Sequence, residues 1–372
     1  MKISIDARGI NLYKGTGIGT YTENVTRELL NLDKENDYTL FWNGKDYDSF
    51  KKTNSKIIFS SNRHGGFYEN FYIPNYIEKN NIDLHHIPQN GIGLSENYST
   101  NSIVTIHDLI PYTLPETVGG RYLEKFLREI PTILDKAKGV ITVSEYSKRD
   151  ILKFFHGYPE KNIFVTPLAT NSKYKPLDKS VCTNLVKEKF GINTPYILYI
   201  GGFSTRKNVR QLIIAFQKIN SSFKKPYTLI LGGAVKDEGK KLVSFVESLN
   251  LQDNIIFTGY LEDTFLPILY NGAEVFVYPS LYEGFGLPPL EAMSCKTAVI
   301  TSNLTSIPEV TNDSAILIDP FNPDELSSNL FKLLDNDEFR QDLANKGYIR
   351  SLDFSWENTA KKTLSAYKSL LY

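Results

Sequence analysis

The chain has 372 residues, more than one ordinary hydrophobic core takes and comfortable for two domains. Its 42 basic and 42 acidic side chains balance, so the net charge gives no hint of nucleic acid and no such partner is expected. The two cysteines, Cys182 and Cys295, are far apart in sequence, which argues against a disulfide framework and fits a reducing cytosol.

The opening Met-Lys-Ile-Ser-Ile-Asp reads as a strand start rather than a signal peptide, because no apolar segment follows it. No stretch approaches the roughly 20 apolar residues that cross a bilayer. A cytoplasmic protein, at most peripheral on the inner face of the membrane, is the expectation.

Lys2–Ala7 forms the first strand, Arg8–Lys14 a loop, and Tyr21–Leu32 a helix carrying Val25, Leu29, Leu30 and Leu32. Between them lies Gly15-Thr-Gly-Ile-Gly-Thr20, a turn whose glycines let a phosphate approach the backbone. It is not the dinucleotide fingerprint G-x-G-x-x-G, because Thr20 stands where the last glycine belongs. No acidic residue closes the next strand, Tyr38–Trp42, so a dehydrogenase is not indicated.

After a strand at Lys56–Ser60 come Phe67, Tyr68, Phe71, Tyr72 and Tyr76 at near-helical spacing. Such rings pack into a core or, where exposed, stack on sugars or meet a membrane surface. Ile82–Ile87 and Ser102–His107 are further strands. His85 and His86 point to opposite strand faces and make a poor metal pair. His107-Asp108 closes its strand at the end where open α/β sheets bind ligands. There the histidine either hydrogen-bonds a substrate or is satisfied by nearby backbone.

Arg121–Lys138 reads as a helix with Leu123, Phe126, Leu127 and Ile130 on one side, bent or interrupted at Pro131. Its basic residues Arg121, Lys125, Arg128, Lys136 and Lys138 are solvated or face anionic lipid. Gly139–Val143 is a strand, Ser144 a helix N-cap, and Ile163–Thr166 another strand. Pro167–Lys179, polar and carrying two prolines, reads as an interdomain linker.

The alternation then restarts. Strand Tyr196–Ile200 runs into Gly201–Asn208, and helix Val209–Asn220 follows, then strand Thr228–Leu231 and helix Glu238–Leu249. Strand Ile255–Thr258 ends at Gly259-Tyr260, and Glu274–Tyr278, Ala298–Thr301 and Ala315–Ile318 continue the pattern. Repeated strand–helix units in both halves imply two parallel-sheet domains. The closing helix, Trp356–Leu371, is long enough to return to the first domain.

Two features of this half carry chemistry. The turn Gly201–Lys207 places Arg206 and Lys207 beside unpaired backbone N–H groups, where they can neutralise a diphosphate without metal. The Asp-x-Asp triplets Asp46/Asp48 and Asp335/Asp337 lie among polar turn residues and read as solvated turns, so no metal is expected. Finally, Tyr282–Cys295 joins a buried strand to a helix opened by Pro288 and Pro289, with Glu283 in the loop and Glu291 in the first helical turn. Such a junction suits a sugar phosphate or nucleotide sugar; it also serves as a plain capped turn.

These pieces in this order resemble the retaining glycosyltransferases of family 4, whose two-domain GT-B fold is α/β with Rossmann-like sheets facing a central cleft. The likeness spans essentially the whole chain, through Gly15–Thr20, His107-Asp108, Gly201–Asn208 and the Glu283–Glu291 pair, which fits the family's E-x7-E motif. It implies an acceptor-side domain over 1–170, a nucleotide-sugar domain over 171–355, and a helix over 356–372 packing back on the first.

The resemblance also implies roles. Gly17 and Gly19 would meet the donor diphosphate, and His107 the transferred sugar. Lys207, helped by Arg206, would stabilise the departing diphosphate on the Gly201–Gly202 turn. Glu283 would bind sugar hydroxyls, with the backbone of Phe285, Gly286 and Leu287 completing that pocket. Glu291 would hold the ribose, and Gly259, Tyr260 and Leu261 would border the base. Gly202 departs from the arginine that many relatives carry there, and Arg206 stands in for it.

The implied reaction is front-face transfer of a hexose with retention, without metal or other cofactor, to a glycan or lipid-linked glycan of surface polysaccharide. The wording of His107–Pro111 and Arg206–Asn208 resembles mannosyl- and rhamnosyltransferases, so GDP-mannose is the expected donor. Donors of the dTDP-rhamnose or UDP-hexose type, a GT-B-fold sugar-nucleotide epimerase and a silent nucleotide-sugar binder are the alternatives.

Overall fold

The computed structural model describes residues 1–61, 64–95, 97–98, 100–223 and 225–371. Its strands are short apolar runs buried on both faces, the pattern that parallel sheets covered by helices require. They segregate into two units, Met1–Leu168 with Ser355–Tyr372, and Ala169–Phe354.

The first unit holds β1 (Lys2–Asp6), β2 (Asp37–Trp42), β3 (Ser55–Phe59), β4 (Leu84–Ile87), β5 (Asn101–Ile106), β6 (Gly139–Thr142) and β7 (Ile163–Val165). They form a seven-stranded sheet in the order β3-β2-β1-β4-β5-β6-β7. The second holds β8 (Tyr196–Ile200), β9 (Thr228–Gly232), β10 (Ile255–Gly259), β11 (Val275–Tyr278), β12 (Ala298–Ser302) and β13 (Ile316–Ile318). Its six strands run β10-β9-β8-β11-β12-β13. All strand pairs are parallel.

In each sheet the order reverses at one place, between β1 and β4 and between β8 and β11. Loops leaving neighbouring strands in opposite directions open a crevice there, at the C-terminal strand ends. In the second unit β8 and β11 pair through Ile197 with Val275 and Leu198 with Phe276. That register brings the loop after Ile200 beside the loop after Tyr278.

The closing helix, Trp356–Leu371, belongs to the first unit. Trp356 packs on Tyr21 at 6.4 Å, and His86 Nδ1 lies 2.6 Å from Tyr367 OH. Gly139 opens β6 because a Cβ there would meet Leu370 at 2.5 Å.

Several local expectations are corrected. The first long helix starts at Gly17, not Tyr21, because Thr16 caps it: its Oγ1 accepts from Gly19 N at 3.3 Å. Within Arg8–Lys14 the chain makes a short helical turn, Gly9–Leu12. Helix Gly120–Lys136 runs through Pro131 without interruption. Pro131 and Leu127, whose carbonyl loses its usual partner, are both exposed, so that carbonyl is not stranded in the core. The buried side of this helix is Phe126, Ile130, Ile133 and Leu134, whereas Leu127 is exposed.

Residues 169–178 are no free linker: Ala169 and Tyr174 are buried, and Leu177 N donates to Asn271 Oδ1 at 2.7 Å. The second unit also contains helices Lys179–Phe190, Pro323–Asp335 and Asp337–Ser351, which the strand–helix alternation does not predict.

His85 and His86 are wholly buried and paired elsewhere, His85 with Ser4 and His86 with Tyr367 and Thr105. Asp48 pairs with Lys51 and Asp337 with Arg340. Among the described residues no group of three or more His, Cys, Asp or Glu side chains could hold a metal ion.

Candidate active site

The sequence motifs of the second unit meet at its crevice. After β8 the chain turns tightly: a Cβ on Gly201 would come 2.7 Å from Tyr199 OH, which donates to Gly202 O at 2.6 Å. The single turn Thr205–Lys207 ends at Asn208 in the left-handed region, φ 57°, anchored through Nδ2 to Pro320 O at 2.6 Å. Leu281 N donates to Arg206 O at 2.8 Å and ties this loop to the one after β11.

That tie lets two cations converge on one carboxylate. Glu283 Oε1 accepts from Lys207 Nζ at 2.6 Å, Arg206 Nη1 at 2.9 Å, Ser280 Oγ at 2.5 Å and Tyr278 OH at 3.1 Å. Lys207 Nζ also donates to Tyr278 OH, and Arg206 Nη1 to Tyr282 O at 2.6 Å. The Glu283 side chain is 12% exposed. Burial alone would raise its pKa; the charges of Lys207 and Arg206 outweigh it and hold the carboxyl below its usual value. Among the described residues every hydrogen bond to this carboxylate falls on Oε1.

Glu291 lives differently. It is the fifth residue of helix Leu287–Ser294, beyond the first turn where the sequence pattern put it, because the helix begins at Leu287 directly after the loop glycine. Gly286 has φ +117°, and a Cβ there would strike Ile307 at 2.7 Å, so the turn requires glycine. Glu291 Oε2 accepts from Tyr270 OH at 2.9 Å. Burial pushes its carboxyl up to about 7, against the hydrogen bonds of Tyr270 and Tyr174 that favour the charged form. One glutamate of the pair is therefore firmly ionised and the other titrates near neutrality.

The backbone of the loop is fixed independently. Glu283 N donates to Thr305 Oγ1 at 3.1 Å, and Ser306 Oγ lies 2.8 Å from the carbonyls of both Glu283 and Phe285. Phe285 is buried edge-on to Phe354 at 5.8 Å. On the other side of β8, Gly259 O accepts from Gly233 N at 3.2 Å and Leu261 packs on the core. Tyr260 between them is 80% exposed.

In the first unit His107 lies just past the end of β5. Its N–H donates to Asn90 Oδ1 at 2.9 Å, its Nε2 to Pro88 O at 2.9 Å, and its ring meets Tyr21 edge-on at 4.9 Å. Burial lowers its pKa to about 4, so the ring is neutral, with the proton on Nε2 and Nδ1 left as an acceptor. Gly17 and Gly19 do not share a loop: both lie in the first helical turn. Gly17 is exposed, whereas Gly19 is buried where a Cβ would stand 2.3 Å from Tyr13 O.

Sequence reasoning misses four contributors. Tyr278 and Ser280 both donate to Glu283, and Tyr270 and Tyr174 both face Glu291. Tyr278 and Ser280 are polar tips inside or just after an apolar strand, whereas Tyr270 lies on a helix and Tyr174 in a loop and neither gives a signal.

The chain matches two family models, "Glycosyltransferase Family 4" over residues 15–173 and "Glycosyl transferases group 1" over residues 183–350. The O-antigen chain mannosyltransferase B of Escherichia coli is 37% identical over 304 residues, covering 81% of this chain and 73% of that protein. The chain belongs to family 4 of the glycosyltransferases. This family 4 chain is also 28% identical over 281 residues to the serotype-specific mannosyltransferase WbdA of Escherichia coli, covering 74% of its own length but 34% of WbdA. Among solved structures it superposes on Anabaena HepE in complex with UDP and glucose, with a TM-score of 0.77 and 16% identity over 99% of both chains. That likeness establishes the GT-B fold.

Proposed function

We propose that this family 4 chain is a retaining, metal-independent mannosyltransferase that moves mannose from GDP-mannose to a hydroxyl of a growing surface glycan, free or lipid-linked. The observation that carries the reading is the convergence of Arg206, Lys207 and Glu283 at the crevice between β8 and β11. Its two mannosyltransferase relatives support the choice of sugar.

Breaking the sugar–phosphate bond puts negative charge on the diphosphate and positive character on the sugar. Lys207 and Arg206, already held in place, would stabilise the first without reorganising. Glu283 Oε2 would accept sugar hydroxyls while Oε1 stays with the cations. Glu291, in its ionised form, would accept from the ribose hydroxyls, and the exposed face of Tyr260 would lie against the base. His107, neutral, would offer Nδ1 to a hydroxyl of the transferred sugar. The leaving phosphate would help deprotonate the acceptor.

No helix among the described residues is long and apolar enough to cross a membrane. In this reading a lipid-linked acceptor would be met at the membrane's inner face by the exposed side of helix Gly120–Lys136, where Tyr122 and Leu127 stand among Arg121, Lys125 and Arg128.

The experiment is turnover of a panel of GDP-, dTDP- and UDP-sugars in the presence of chelator, with NMR assignment of the product anomer. Fast use of GDP-mannose with an α-linked product is expected. An inverted product sinks the retaining mechanism, dependence on added metal sinks the role given to Lys207 and Arg206, and consumption of donor without acceptor points to an epimerase.

A further inference from the structure

The aromatic stretch of the first unit is only partly absorbed by the core. Its inner rings join it: Tyr76 stands edge-on to buried Phe41 at 5.6 Å, and Tyr72 stacks on Tyr76 at 6.4 Å. Its outer rings do not. Phe67 and Phe71 are each 56% exposed, and they stack on one another at 6.2 Å with 27° between their planes. Tyr68 bridges the two halves, edge-on to Phe67 at 5.8 Å and to Tyr72 at 5.0 Å. Two phenyl rings held side by side in water forgo hydrophobic stabilisation, and such a patch marks a contact surface.

A buried polar anchor fixes this patch to the ligand-binding edge of the sheet. Asp6, the last residue of β1, accepts from Arg8 Nε at 2.8 Å and Nη2 at 2.7 Å. Gln89, just after β4, donates to the same carboxylate at 2.6 Å. Both strands flank the point where the sheet order reverses. Arg8 then reaches Glu69, between the two exposed rings in sequence, at 3.1 Å. Gly93 (φ +109°) makes room, since a Cβ there would lie 3.3 Å from Arg8 Nη2. Asn97 Nδ2 donates to Asn70 O at 2.7 Å on the other side. Through Tyr68–Tyr72 the backbone is a π-helix, a wide turn found most often at functional sites.

Charge selects the occupant. Residues 63–79 carry two cations, Arg63 and Lys79, against two glutamates, Glu69 and Glu78. Lipid or nucleic-acid phosphates would find no net positive charge in this stretch. A neutral glycan fits: the C–H faces of its pyranose rings lie on Phe67 and Phe71, and its hydroxyls meet the exposed Asn70 and Asn75. The spacing of the two rings is close to the length of one sugar unit, so successive sugars can stack.

We infer that Phe67 and Phe71 form a subsite that grips successive sugars of a neutral glycan acceptor. Naming that glycan as the acceptor rests on the transferase reading above; the sugar-binding surface itself does not.

The test is direct binding of linear manno-oligosaccharides of increasing length to the full chain, by calorimetry, for the wild type and for Phe67→Ala/Phe71→Ala. Wild-type affinity should rise with length over the first few units, and the double variant should bind the longer ones about ten-fold more weakly. The pair Phe67→Tyr/Phe71→Tyr should retain binding, and thermal shifts by nucleotide sugars should be the same in all three proteins. Equal binding by wild type and double variant, or none by the wild type, overturns the subsite. So does a double variant that binds oligosaccharides normally but no longer sediments with anionic vesicles, which would give the rings to the membrane. Donor turnover is measured separately in the same proteins: its absence with every nucleotide sugar sinks the transferase reading and leaves the sugar-binding result to stand by itself.

Discussion

Lys207 Nζ stands 2.6 Å from Glu283 Oε1, so the cation that the proposed reaction gives to the diphosphate is already held by the carboxylate it gives to the sugar. Both side chains are nearly buried, at 13% and 12% exposed. Removing one partner of such a pair strands the other and typically costs about 3–5 kcal/mol. Glu283→Ala should therefore lower the melting temperature, and inorganic pyrophosphate should restore it more than it raises that of the wild type. No shift in either protein would show that the cations do not take diphosphate. Lys207→Met should lower kcat by about 10²–10³-fold, the scale of losing a fixed charge at a developing anion.

Tyr278 OH bonds both members of that pair from inside β11. Tyr278→Phe keeps the ring, its stack on Tyr199 at 5.8 Å and the burial, but not the bridge. We expect about a ten-fold lower kcat, the scale of one hydrogen bond to a charged group, with little change in donor KM or melting temperature. A variant that loses stability but keeps kcat would make Tyr278 a packing residue.

Glu291 supplies the pH dependence. Its carboxyl sits at about 7 in the folded chain against an ordinary value of 4.5. Between those values the folded chain holds a proton that the unfolded chain has released, so this group's contribution to stability falls as pH rises from about 4.5 to about 7. Relative to Glu291→Gln, the wild type should lose melting temperature across that window. Because the ionised form accepts better from ribose hydroxyls, donor KM should fall as pH rises through 7, and Glu291→Gln should lack that slope. Parallel pH profiles for the two proteins would contradict the assignment.

His107 should be silent over the same range. With its pKa lowered to about 4 by burial, it stays neutral from pH 5 upward. An NMR titration should show no shift of its ring signals near 6.5, and a signal titrating there would overturn the neutral ring. His107→Ala should reduce kcat by about 10²-fold if Nδ1 serves the sugar.

Two glycines are demanded by packing. A Cβ at Gly19 would stand 2.3 Å from Tyr13 O, and one at Gly139 2.5 Å from Leu370. Gly19→Ala and Gly139→Ala should each destabilise the first unit by about 1–3 kcal/mol, the usual cost of overpacking, read as a lower denaturant midpoint. Gly139→Ala should suffer less if Leu370 changes rotamer, and Gly139→Ala/Leu370→Ala should recover part of the loss.

Much of this was legible in the order of residues. Runs such as Val275–Tyr278 are apolar throughout because parallel strands are buried on both faces, so a strand announces itself without alternation. Gly286 before Pro288-Pro289 spells a tight loop opening a helix, and Glu283 and Glu291 were located by it. The boundaries were less legible: Thr16 rather than the glycine run decides where the first long helix starts, because a side-chain cap four residues earlier outweighs glycine's poor helix propensity.

What the sequence by itself determined is the local alphabet: parallel-sheet strands, glycine turns at their C-terminal ends, and cations and carboxylates on those turns. What only the tertiary structure decided is which of them meet and in what state. Arg206 and Glu283 lie on different loops and come together because β8 pairs with β11 rather than with its neighbour in the chain beyond β9. Glu283 is ionised because two cations offset its burial, and Glu291 titrates near neutrality because burial outweighs the hydrogen bonds of its two tyrosines. The outer rings of the aromatic stretch are exposed, and Arg8 pairs with Glu69 between them. Pairing, burial and protonation depend on distances through space, and those are set only once the sheet order is fixed.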